Sequence, residues 1–168
     1  MQRMAITMLS NLALDASYSQ PQKLRAGWFE ILNRYEWKLF VTLTYDPQKS
    51  RRTREAVFRD FRKMANCFNV KFFKKHWHRH SKDLGLHYVS VGEQHGSGAW
   101  HAHVLIGAPR QISPQEQRWM HDWWFSRHGR LDVQLIRDSA DVQRYCLKHV
   151  KTGDEVEFSS NLRLRTKL

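Results

Sequence analysis

LHYVSVGEQHGSGAWHAHVLIG, residues Leu86 to Gly107, is the stretch on which the fold turns. Two runs rich in β-branched and aromatic residues, Leu86–Gln94 and Trp100–Gly107, flank a turn, His95–Ala99, that carries two glycines. Extended runs divided by a Gly-rich turn predict a β-hairpin. Residues two apart on a strand point to the same side. In the second run Ala102, Val104 and Ile106 therefore form an apolar face, and His101 and His103 sit together on the other. With Ser97 at the centre of the turn, Glu93, four residues before it, lies opposite His101, four residues after it. Directly opposed residues share a face, with Cβ atoms about 4.5–5.5 Å apart. Glu93, His101 and His103 can then converge on one ion as two imidazole nitrogens and a carboxylate, with positions left for substrate and water. A slip of one residue would turn Glu93 to the other face, where it is an ordinary surface carboxylate at a strand end.

Working outward, Pro21 to Tyr35 carries Leu24, Trp28, Ile31 and Leu32 at helical spacing. Trp37–Tyr45 (WKLFVTLTY) reads as a strand stopped by Asp46-Pro47. From about Arg52 to His80 a long helix is expected, with Val57, Phe61, Met64, Phe68 and Phe72 as its apolar stripe and Phe73 and Trp77 less regularly placed. Arg54, Arg59, Arg62, Lys63, Lys71, Lys74, Lys75 and Arg79 make the rest of that helix basic. Ser113-Pro114 opens a helix through Trp119, Trp123 and Trp124 to about His128, and Gly129 stops it. Leu131–Ile136 is a fourth strand, and Asp138 or Ser139 starts a last helix through Val150, ended by Gly153.

The series is a helix, then β-α-β-β-α-β, then a helix. It predicts an α+β domain with a ferredoxin- or RRM-like split β-α-β antiparallel sheet, an N-terminal helical extension and a C-terminal helix. The expected organisation is an N-terminal arm over 1–34, the main domain over 35–153 and a flexible basic tail over 154–168. This fold hosts many activities and names none.

Composition narrows the partners. Lys and Arg number 28 against 16 Asp and Glu, a net charge of +12 over 168 residues with His neutral. An enzyme of a small neutral metabolite has no use for that charge, whereas a protein that follows phosphates gains by releasing their counterions. Cys67 and Cys146, without a CxxC, form neither a disulfide framework nor a structural zinc site, and fit a reduced compartment. No apolar run approaches the roughly 20 residues that span a membrane. The segment from Met4 to Ala16 is interrupted by Asn11 and Asp15 and makes a poor signal peptide.

The last helix contains DVQRYCLKHV, Asp141 to Val150. Tyr145 and Lys148, three apart, share a face. A phenol with a pKa of about 10 is scarcely ionised at neutral pH, and an ammonium beside it favours the phenolate. Taken alone, the pair reads better as an ordinary helix tyrosine with a solvated lysine.

Together these pieces resemble the HUH endonuclease superfamily in its single-tyrosine replication-initiator (Rep) branch. Phe40 to Tyr45 looks like the family's FTLTY-like motif, Glu93 with His101-Ala102-His103 like the HUH motif and its upstream carboxylate, and Tyr145-Cys146-Leu147-Lys148 like its YxxK motif. The resemblance spans roughly Phe40 to Lys148. It implies Mg²⁺ or Mn²⁺ held by Glu93, His101 and His103, with Tyr145 as nucleophile and Lys148 positioning it or the phosphate. The implied reaction nicks and rejoins single-stranded DNA through a 5′-phosphotyrosine and a free 3′-OH, initiating rolling-circle replication of a plasmid or virus.

The implied partners are single-stranded or hairpin origin DNA and a host helicase, since no GxxxxGK[ST] segment is present. The implied location is cytoplasmic and nucleoid-associated, or nuclear for a eukaryotic virus. Thr42, Thr44, Arg54, Lys74 and Arg144 are the candidate DNA contacts, and His149 is a further candidate for the site.

Other readings stay open. A transposase or relaxase shares the chemistry, although small transposases of this kind usually pair Tyr with a downstream Gln and relaxases usually place their Tyr ahead of the His motif. A non-catalytic single-strand nucleic-acid module would use Phe40 and Tyr45 as stacking residues. A zinc hydrolase would use the same three ligands.

Overall fold

The computed structural model describes residues 26–30, 32–46, 53–73, 85–94, 98–138, 140–141, 156–160 and 162. Their elements run β1 (Leu39–Tyr45), α1 (Arg54–Phe72), β2 (His87–Gln94), β3 (Trp100–Gly107), α2 (Pro114–Phe125), β4 (Gly129–Leu135) and β5 (Val156–Phe158). The five strands form one sheet in the order β4-β1-β3-β2-β5, antiparallel at every pairing. The result is a mixed α+β domain with flanking helices.

Alternation along the strands divides the core in two. Leu39, Val41, Leu43 and Tyr45 of β1 and Ala102, Val104 and Ile106 of β3 are buried with Val57, Phe61, Met64 and Phe68 of α1 and with Met120 and Trp124 of α2. The opposite face buries Val89, Val91 and Leu105 under Trp28, Leu32 and Trp37. The N-terminal segment is helical over 26–30. It is tied down by Trp37 Nε1, which donates to Leu32 O at 2.7 Å, and by Trp28 stacked on Phe158 at 5.4 Å.

Helix α1 begins at Thr53, whose hydroxyl accepts the Ala56 N–H. It ends at Phe72 rather than near His80, because Phe73 has left helical dihedrals (φ −113°, ψ 7°). Phe68 is the last fully buried member of its stripe, and Phe72 and Phe73 are only partly buried. The buried Asn69 side chain accepts the Leu86 N–H at 2.9 Å and so leads into β2. The expected continuation with Lys74 and Trp77 lies outside the described residues.

Helix α2 carries a capping box between Ser113 and Glu116, with Pro114 at its first turn. Arg110 grips the Glu116 carboxylate through both guanidinium nitrogens, at 2.9 and 2.5 Å. Those bonds, with the cap, lower its pKa from 4.5 to about 2 against the opposing effect of burial.

Gly129 opens β4 instead of merely ending the helix, and its φ of 155° fits a point where a Cβ would meet Thr44 O at 2.4 Å. The last helix begins where expected: Asp138 Oδ1 accepts the N–H of Ala140 at 2.8 Å and of Asp141 at 3.1 Å, and residues 140–141 are helical. Its remainder lies outside the described residues.

One expectation is corrected. Residues beyond Asp154 were expected to form a flexible tail, yet Val156–Phe158 pair with β2 as β5. Val156 and Phe158 pack on the second core, while Glu157, facing the other way, pairs with Arg62 of α1 and accepts from Tyr88 Oη at 3.3 Å. Burial raises the Glu157 carboxyl and, with the Glu157 charge, the Tyr88 phenol above their ordinary ranges. A three-residue V-E-F alternation is too short to read as a strand.

Candidate metal centre

The hairpin forms in the register that a turn centred on Ser97 predicts, with Glu93 of β2 opposite His101 of β3. Gly98 in that turn has a φ of 83°, a value that favours glycine. β3 lies between β1 and β2, so the two histidines stand on a strand bonded along both edges. Glu93 Oε2 is 3.3 Å from His101 Nε2 and 3.4 Å from His103 Nε2. The imidazoles are close to perpendicular, at 83°, with centroids 5.0 Å apart.

One ligand atom from each residue falls within 4.8 Å of the other two, and this is the one such group of three among the described residues. Two neutral imidazoles and a carboxylate suit a divalent cation, and three ligands leave coordination positions for a phosphate and water.

The family model for replication-associated proteins of the ORF2 type matches residues 38–153, more than half of the chain. The chain belongs to this family. With the His-His-Glu cluster, the match makes it a replication-associated protein of the HUH type, as the sequence motifs suggested. No curated protein matches it in sequence. The crystal structure of the hypothetical protein ORF119 from Sulfolobus islandicus rod-shaped virus 1 is similar at a TM-score of 0.42 and 20% identity, over 76% of this chain and 94% of that one.

Around its three central side chains, this replication-associated protein places four further residues. Thr42 of β1 lies opposite His103, with Oγ1 3.2 Å from Nδ1. Phe40, on the same face, stacks on the His103 ring at 5.7 Å and 10°. Thr44 is exposed, between His101 on one side and Arg130 of β4 on the other. Arg130, Thr44, His101 and Glu93 thus form one row across the sheet.

Of the expected DNA contacts, the structure brings Thr42 and Thr44 beside the cluster. It puts Arg54 at the start of α1, a helix covering the opposite sheet face. Lys74, Arg144, Tyr145, Lys148 and His149 lie outside the described residues. The contacts of Phe40 and Thr42 with His103 were not read from the sequence. Alternation in Phe40-Val41-Thr42-Leu43-Thr44 puts these residues on one face, but pairing of β1 with β3 skips two intervening elements and leaves no local signal.

Among the described residues no helix is long and apolar enough to cross a membrane.

Proposed function

We propose that this protein nicks and rejoins single-stranded DNA at a replication origin by transesterification onto Tyr145. The observation that carries the reading is the Glu93, His101 and His103 cluster, set inside a family match over 38–153 that includes Tyr145 and Lys148. The Tyr145 phenol oxygen attacks the scissile phosphorus, the bond from phosphorus to the 3′ oxygen breaks, and the phenol proton passes to the departing 3′ oxygen to give the free 3′-OH. The DNA is left joined by its 5′ phosphate to Tyr145, and a later 3′-OH reverses the step and reseals the strand. Glu93, His101 and His103 hold Mg²⁺ or Mn²⁺, which when bound stabilises negative charge on the phosphoryl oxygens. Lys148 favours the phenolate or steadies the phosphate.

The strand order β4-β1-β3-β2 supports a ferredoxin-like core within 35–153. Thr44, Arg54, Lys74 and Arg144 remain candidate DNA contacts, and the net charge of +12 fits a phosphate-bearing partner. A free 3′-OH suits rolling-circle replication of a plasmid or virus. A separate host helicase would unwind the DNA, in the cytoplasm at the nucleoid or in the nucleus for a eukaryotic virus.

The test is a denaturing gel of the protein with labelled single-stranded DNA from its replicon's origin, with Mn²⁺ or Mg²⁺. A covalent adduct that requires the metal, His103 and Tyr145, and is lost in His103→Ala and Tyr145→Phe, is the expected result. Binding without cleavage across a tiled origin library would replace this reading with that of a non-catalytic single-strand binding module.

A further inference from the structure

An imidazole that binds a metal through one nitrogen keeps a proton on the other, and the partner of that N–H sets the ring's orientation and basicity. His103 has a separate partner at each nitrogen. Nε2 lies 3.4 Å from Glu93 Oε2 of β2, and Nδ1 lies 3.2 Å from Thr42 Oγ1 of β1. The two partners come from the strands on either side of β3, so hydrogen-bonded backbone holds both in place. The Phe40 ring, almost parallel to the imidazole at 10°, limits its rotation. His103 is 7% exposed and Thr42 half-buried, so the contact is partly shielded from competing water.

We propose that Thr42 is a positioning residue for the metal centre: its Oγ1 accepts the Nδ1–H of His103 and aims the Nε2 lone pair at the ion beside Glu93. The inference rests on the metal-site reading and assigns Thr42 a role other than DNA contact. A threonine hydroxyl can donate or accept. In the alternative tautomer Nε2–H would donate to Glu93, and the two ligands would satisfy each other instead of a cation. Cation on Nε2 leaves the proton on Nδ1, and Thr42 then accepts it. Outer partners of this kind change metal affinity by about 10–100-fold when removed.

The experiment is a calorimetric Mn²⁺ titration of the full chain as wild type, Thr42→Val, Thr42→Ser, Glu93→Gln and His103→Ala, with near-UV circular dichroism as the check on folding. Val keeps the shape of Thr and loses the hydroxyl, whereas Ser keeps the hydroxyl and loses the methyl. Thr42→Val is expected to weaken Mn²⁺ binding by about 10–100-fold, with Thr42→Ser close to wild type. Nitrogen-edited NMR with Mg²⁺ bound should show an exchange-protected His103 Nδ1–H in wild type and Thr42→Ser, and lose that protection in Thr42→Val. Unchanged affinity in Thr42→Val, or equal weakening in Val and Ser, overturns the positioning role while leaving the metal centre standing. Mn²⁺ binding that is absent from wild type, or indifferent to Glu93→Gln and His103→Ala, overturns the metal centre and this inference together.

Discussion

Replacing Glu93 by Gln keeps the size of the side chain and removes its charge, so it isolates what the carboxylate contributes to cation binding. Two unit charges 4 Å apart interact by about 1 kcal/mol in bulk water and about 4 kcal/mol at the effective dielectric near a protein surface. A dication doubles both, to a range of about 2 to about 8 kcal/mol. The Glu93 side chain is 35% exposed, against 9% for His103, which places the interaction toward the watery end of that range. A loss of about 2–4 kcal/mol follows, equivalent to a dissociation constant for Mn²⁺ raised roughly 30- to 1,000-fold. Isothermal titration, or the electron paramagnetic resonance signal of free Mn²⁺, measures it directly. DNA cleavage by the variant should recover in part at high Mn²⁺, since Tyr145 is untouched. A dissociation constant within about threefold of wild type would refute the reasoning, because the change would lie below about 0.7 kcal/mol.

Four further outcomes test the scaffold. Gly129→Ala puts a Cβ 2.4 Å from Thr44 O and 2.6 Å from Asp46 N at a φ of +155°. It should cost about 3 kcal/mol or more in urea denaturation. Gly98→Ala, at a φ of +83° with nothing within 4 Å, should cost only about 1–2 kcal/mol. Asn69→Leu removes the acceptor 2.9 Å from the Leu86 N–H, and a loss of about 1–2 kcal/mol is expected in the same assay. Because Glu116 titrates at about 2 when folded and ordinarily at 4.5, the unfolded chain takes up the proton first as pH falls. The stabilisation is full above the ordinary value and is lost as pH drops from there toward about 2, so Glu116→Gln should flatten the acid limb of the stability profile over that window.

The meeting of Glu93, His101 and His103 was legible because a hairpin is local. Once the glycines around Ser97 fix the turn, strand alternation and opposition decide which side chains meet, and Glu93 meets His101 as a consequence. The opening of α2 was legible for the same reason, since Ser113, Pro114 and Glu116 cap it from within four residues. What could not be read depends on distant partners. α1 ends at Phe72, with Phe68 the last fully buried member of its stripe, while its basic sequence runs on with helical periodicity. β5 exists because β2 offers an edge and Trp28 a stacking partner for Phe158, neither of which is encoded near Val156. Thr42 reaches His103 only through the pairing of β1 with β3, so its sequence context announces a strand residue and nothing more.

Placing His101 and His103 on a strand hydrogen-bonded along both edges also bears on the order in which folding and loading occur. Side chains already gathered within 4.8 Å lose little further conformational freedom when an ion arrives. The sheet and its two cores stand on apolar packing, unlike small zinc modules that are unfolded without their ion. A chelator should therefore strip the ion and leave a folded protein whose amides on β3 stay among the slowest to exchange with deuterium. Occupancy by a divalent cation would then be a reversible variable of the folded protein, free to follow the cation concentration around it without any cycle of unfolding.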